Sequence, residues 1–305
     1  MASIEATHDS LAQVQNGRAA IEMVAASLCF ATMSCIAHGF SGQVAWPIVA
    51  FARILVTAAL VLVALALYRA PLVIRGTRAL WSRSIFGAVG LICTFYAITH
   101  MPVTDTVTVF ATGPVWVTVI LAFMFKRAVR KRVWFHVLLA LLGVYIMHRP
   151  TFDAASLPLF VALFGAIAAA AAKVSISFCH GLRPLSIVAH YACCATLITG
   201  CLALTTAGAT ALGPGAPPSL WLWLVPMGLA GTLAQLLMTT AYRRGGTTMV
   251  ALVGISQIAF AALYDLAIWG HSFDRWKIAG VLIIACAIAM NITATARDFE
   301  DAAKN

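Results

Sequence analysis

Apolar residues run through this chain in stretches of about twenty, separated by short polar segments and without the two-residue alternation of strands. Ten stretches can be drawn, at about 19–40, 47–68, 84–100, 103–125, 133–148, 156–179, 184–208, 220–242, 247–269 and 276–296; in chain order they are spans 1 to 10. A hydrocarbon core of roughly 30 Å takes about 20 apolar residues per helix, whereas a barrel strand takes about ten with apolar and polar positions alternating. The pattern predicts an all-α integral membrane protein of ten transmembrane helices.

The chain also repeats itself. PIVAFAR at Pro47 to Arg53 returns 137 residues later as PLSIVAH at Pro184 to His190, and Ala97 to Val109 lies on Ala241 to Val253 at a spacing of 144. Five spans fall in each half, and an odd number of crossings turns the second half upside down, which is the layout of an inverted-repeat transporter. The expected organisation is a cytoplasmic tail 1–18, a first five-helix repeat 19–149, a second 150–297 and a tail 298–305. The polar first 18 residues do not have the basic-then-apolar layout of a cleaved signal peptide, so span 1 is kept as a helix.

Composition agrees, with 62% hydrophobic and 10% charged residues in 305. The net charge of +10 is a matter of topology and not of nucleic-acid binding. Fifteen Lys and Arg fall in alternate segments on the side of the N-tail, among them Arg69, Arg75, Arg78 and Arg83 and the 126–132 cluster, against Arg149, Arg275 and Lys277 opposite. The positive-inside rule then puts both termini in the cytoplasm, with the bacterial inner membrane as the expected location and anionic headgroups as lipid partners. All eight cysteines lie within apolar runs and read as small packing residues.

Ionisable side chains inside spans cost several kcal/mol and usually face a cavity or a partner. Arg53, Asp265 and Asp105 are placed to form a polar cluster toward the outer face; Glu22, Lys173 and His190 form a mirrored group toward the inner face. Structural ion pairing and headgroup snorkelling are the competing explanations. Gly113-Pro114 should bend span 4 near the midplane and free a carbonyl near Phe110, because proline lacks the N–H and clashes with the preceding turn. Span 9 carries Gly254, Ser256 and Gln257 at the equivalent place. Aromatic residues including Tyr96, Phe110, Trp116, Tyr191 and Tyr264 suit an organic cargo better than a bare ion.

The block FYAITHMPVTDTVTVFATGPVWVTVILAFMF (Phe95 to Phe125), Gly143 in LLGVYIM, and TTAYRRGGTTMVALV with WKIAGVLIIACAIAM in the second half resemble the EamA-type ten-helix permeases of the drug/metabolite transporter superfamily. The resemblance covers essentially the whole chain. It implies a central cavity ringed by spans 1–4 and 6–9, with spans 5 and 10 outside; members include amino-acid exporters, among them the YddG type that moves aromatic ones. A glycine-glutamate pair common at the ends of spans 4 and 9 is replaced here by Lys126-Arg127 and Gly270-His271.

The expected activity is secondary export of an amino acid or related amphipathic solute. No nucleotide-binding loop or metal-ligand spacing is present, so no cofactor or metal is expected and a gradient, with protons as one candidate coupling ion, or exchange must drive transport. A monomer suffices. Two alternatives compete: exchange or import of a nucleotide-like or S-adenosylmethionine-like metabolite, and an intramembrane acyltransferase built on the HMPVTD pair His100 and Asp105. Of the Lys and Arg residues only Arg53 and Lys173 are expected inside the membrane, which argues against anionic cargo.

Overall fold

The computed structural model describes residues 2–124, 131–148, 157–206, 222–245, 250–251, 253–270, 274–287 and 290, with side chains from residue 17 onward except at 133, 137, 140, 144, 147 and 148. Its helices are α1 (Ala2–Gly39), α2 (Trp46–Leu67), α3 (Arg78–His100), α4 (Val103–Phe110), α5 (Gly113–Met124), α6 (Lys131–His148), α7 (Leu157–Ser177), α8 (Pro184–Thr206), α9 (Leu224–Arg244) and α10 (Ser256–Ala267). A further helix, α11, runs over 275–287. There is no strand among the described residues.

Seven helical stretches among the described residues are long and apolar enough to cross a bilayer: Gly17–Gly39, Trp46–Leu67, Arg78–His100, Val103–Met124, Leu157–Ser177, Pro184–Thr205 and Leu224–Arg244. They coincide with spans 1–4 and 6–8. Span 5 lies in α6, while spans 9 and 10 correspond to α10 and α11, parts of both falling outside the described residues. Large apolar side chains such as Leu62, Val63, Phe86, Phe164 and Leu233 stand exposed along the spans, as lipid contact allows and water would penalise.

Two local features depart from plain helices. The Thr77 side chain accepts a hydrogen bond from the Leu80 amide, starting α3 at Arg78 and carrying Arg83 into the helix instead of leaving it in a loop. Span 4 breaks at Ala111–Thr112, where the Thr112 hydroxyl donates to the Val109 carbonyl and Pro114 follows two residues on. Span 9 breaks at Gly254–Ile255, one residue from the position that the 144-residue repeat makes equivalent.

The densest packing joins α3 to α7 and α1 to α9. Small residues allow it: a Cβ on Gly90 would lie 3.3 Å from the Ala169 amide nitrogen. Adding the contacts of α4 and α5 with α7 and of α1 with α10 yields two groups, spans 3, 4 and 6 and spans 1, 8 and 9. Each group mixes the two sequence halves, and exchanging span 1 with 6, 2 with 7, 3 with 8 and 4 with 9 turns one group into the other. Spans 2 and 7 pack on each other, and each also touches the group that holds its sequence neighbour. α6 and α11 meet at Gly143, where a Cβ would come within 2.7 Å of Ile284 Cγ1.

Candidate functional site

A cavity of about 160 Å³ opens between the two groups, roughly ten times the ~15 Å³ that one water needs. Spans 1–4 and 6–9 line it, including the breaks in spans 4 and 9, and no described residue of α6 or α11 does. Phe30, Phe95, Phe110, Leu91, Ile98 and Val107 make apolar walls. Arg53, Arg83, Lys173, Tyr191, Gln235 and Gln257 supply the polar surface, and no Asp or Glu occurs among the lining residues.

Arg83 was expected on the cytoplasmic surface and is instead 2% exposed. Its guanidinium lies 4.2 Å above the centre of the Tyr191 ring, and its Nη2 donates to Gln235 Oε1 at 2.9 Å. The ring attracts the cation and fixes its plane. Gly87, one turn along α3, makes room: a Cβ there would collide with the Arg83 guanidinium and lie 3.0 Å from the Tyr191 ring. The Thr77 cap and the run of apolar residues around Arg83 are the sequence signals that place it within a span.

Arg53 is 1% exposed and is held against α1 and α9, its Nε donating to Met33 Sδ at 3.3 Å and its Nη2 to the Gly231 carbonyl at 3.2 Å. Arg53 Nη1 and Arg83 Nε are buried with no hydrogen-bond partner among the described residues. Lys173 adds a third cation beside the span 4 bend, its Nζ 3.7 Å from where a Gly113 Cβ would sit. The charge of Arg83 repels both Arg53 and Lys173, and leaving buried cations without counter-charge costs several kcal/mol.

Of the other expected site residues, Phe110, Pro114, Tyr191 and Gln257 line this cavity with Arg53, while Tyr96, Asp105, Trp116, His190 and Asp265 lie outside its lining. The outer cluster divides. Asp265 accepts the Thr104 amide at 2.6 Å at the start of α4, where an acid complements the helix dipole, and Asp105 pairs with Lys277 at 3.2 Å. Neither binds Arg53. The inner group divides as well: Glu22 pairs with Arg244, Lys173 enters the cavity, and His190 hydrogen-bonds Ser84 at 2.7 Å with its ring edge-on to Trp81. Arg53 and His190 match in the repeat but not in their surroundings.

Tyr96 stacks on His100 and meets Trp46 edge-on, and the Trp116 indole donates to Thr112 Oγ1 at 3.2 Å. His100 Nδ1 lies 2.6 Å from the Tyr96 carbonyl, and Asp105 Oδ2 lies 3.2 Å from Lys277 Nζ. Lys126-Arg127 and His271 lie outside the described residues.

Eight spans, two of them broken at matching points, around an amphipathic cavity make the geometry of a small-solute permease. The model of the EamA-like transporter family matches residues 17–149 and again 156–293. The chain belongs to the EamA-like transporter family. Among its relatives are the pseudopaline exporters CntI of two Pseudomonas aeruginosa strains, each 27% identical over 273 residues, covering 88% of this chain and 94% of the relative. One solved crystal structure superposes with a TM-score of 0.65 at 16% identity, covering 90% of this chain and 97% of the other, a likeness of fold. This EamA protein is therefore a multi-pass membrane transporter, and its cavity is the place to seek the cargo.

Proposed function

We propose that this chain exports a small amphipathic organic metabolite, of the size and build of an amino acid, across the bacterial inner membrane by alternating access. The observation that carries the reading is the cavity at the matching breaks of spans 4 and 9, because broken helices at corresponding points of two repeats mark transport sites. The family membership and the exporter relatives support both transport and its outward direction. In this reading ten spans, arranged as inverted repeats 19–149 and 150–297, leave both termini in the cytoplasm.

The cavity lining also sorts the alternatives. An S-adenosylmethionine-like cargo carries a sulfonium that finds no carboxylate among the lining residues, so the charge there opposes it. A nucleotide-like anion meets no such opposition, and Arg83 removes the argument that too few cations are available. Comparing the medium of expressing and empty-vector cells by untargeted metabolomics tests export: at least one organic solute should accumulate outside. If none does, while the purified protein in liposomes takes up a nucleotide, the exchange reading replaces this one.

A further inference from the structure

We infer that the cargo of this cavity is an amphipathic polycarboxylate, held by Arg53, Arg83 and Lys173 through at least two separate carboxylates. The inference rests on the export reading above and specifies its substrate class. Four observations carry it. The three cations line one cavity and the charge of Arg83 repels the other two, yet no carboxylate is among the lining residues. Glu22, Asp105 and Asp265 are engaged elsewhere, with Arg244, Lys277 and the Thr104 amide. The arginines are nearly fully buried but retain one unpartnered nitrogen each, Arg53 Nη1 and Arg83 Nε.

The fourth observation is that the arginines are held in place for a ligand. Gly231 and Gly87 leave the space that each guanidinium occupies, and Gln235 and the Tyr191 ring fix the orientation of Arg83. Charge-assisted bonds to carboxylate are the strongest available to such donors. Arg53 bonds Gly231 and Arg83 bonds Gln235, one turn apart on α9, while Lys173 stands beside Gly113 at the break of span 4, so the cations are presented from two different elements. Separate carboxylates on one molecule match that layout better than a single phosphate. Between them the Phe30, Phe95 and Phe110 walls accept an apolar body.

The test uses the purified full chain in detergent, at fixed ionic strength, with phenylsuccinate as the probe. Its neutral diamide, phenylalanine and phenyl phosphate serve as controls. Phenylsuccinate should raise the thermal unfolding midpoint and bind at least about tenfold more tightly than each control, since a lost bond to a charged group costs about a factor of ten or more. Arg83→Met and Lys173→Met should each lose about tenfold in phenylsuccinate affinity. Phenylalanine or the diamide binding as tightly as phenylsuccinate overturns the inference, as does tighter binding of phenyl phosphate. The ligand comparison is made on the unmodified chain, so it stands even if a variant fails to fold. Liposomes loaded with the same solutes separate the two readings: release of a zwitterion but not the dicarboxylate overturns the substrate class alone, and dicarboxylate binding without release overturns export alone.

Discussion

A guanidinium inside a bilayer is tolerated only where neighbours make room for it and satisfy it, and Gly231 does both for Arg53. Its carbonyl accepts from Nη2, while a Cβ there would lie 2.7 Å from Nε and 3.0 Å from Met33 Sδ. Gly231→Ala should therefore displace the arginine and weaken solute binding, with a stability loss no larger than the about 1–3 kcal/mol typical of overpacking. Binding isotherms beside thermal unfolding midpoints check this, and loss of fold with no change in affinity would contradict it. Arg53→Met removes the donor outright and should cost about tenfold or more in affinity. Normal binding and flux in that variant would reduce Arg53 to a packing residue.

Span 4 illustrates how one proline shapes an element. Pro114 cannot donate to the Phe110 carbonyl, and the helix resolves the conflict by breaking at Ala111–Thr112, beside Lys173 and within the cavity lining. Pro114→Ala restores the missing donor and should straighten the span, so turnover should fall several-fold while the unfolding midpoint holds or rises. Single-turnover flux in liposomes and thermal unfolding measure the two separately. Unchanged flux would show that the break plays no part in gating.

Across the whole molecule, the packing groups suggest which bodies move. Spans 3, 4 and 6 face spans 1, 8 and 9 across the cavity, and at the end assigned to the outside three hydrogen bonds bridge them. His38 Nδ1 meets the Ile98 carbonyl at 2.7 Å, the Ser41 hydroxyl donates to the Thr99 carbonyl, and Asp265 accepts from the Thr104 amide. In the proposed topology these bonds hold the outer end together, and rocking of the two groups would have to break them. Asp265→Ala should accordingly raise labelling of a cysteine at Thr106, on the cavity wall, by an impermeant thiol reagent added outside cells; a Cys-free background is required. Unaltered labelling would remove Asp265 from the gate. On the same background, a cysteine in place of Arg130 should resist that reagent, because the proposed topology puts the basic 126–132 cluster inside. Labelling there would reverse the topology.

Length and apolarity were enough to read the class of fold, the seven spans now seen as helices and the bend of span 4, because a bilayer leaves helices few alternatives and proline acts on its own turn. The repeat was legible for the same reason, each half answering the same local demands. Partnership was not. Arg83 read as a surface charge because the Thr77 cap that draws it into span 3 was passed over, and nothing near it in sequence reveals its partners Tyr191 and Gln235, 108 and 152 residues away. Arg53 and Asp265 sat at similar depths and looked like a pair, yet side-chain direction and the packing of α4 on α10 gave them separate partners. Depth in the membrane follows from position along a helix, whereas the choice of neighbour depends on how helices rotate and cross, which distant residues settle jointly. For that reason the two mixed groups of spans, the cavity between them and its three cations emerged only once the chain was folded.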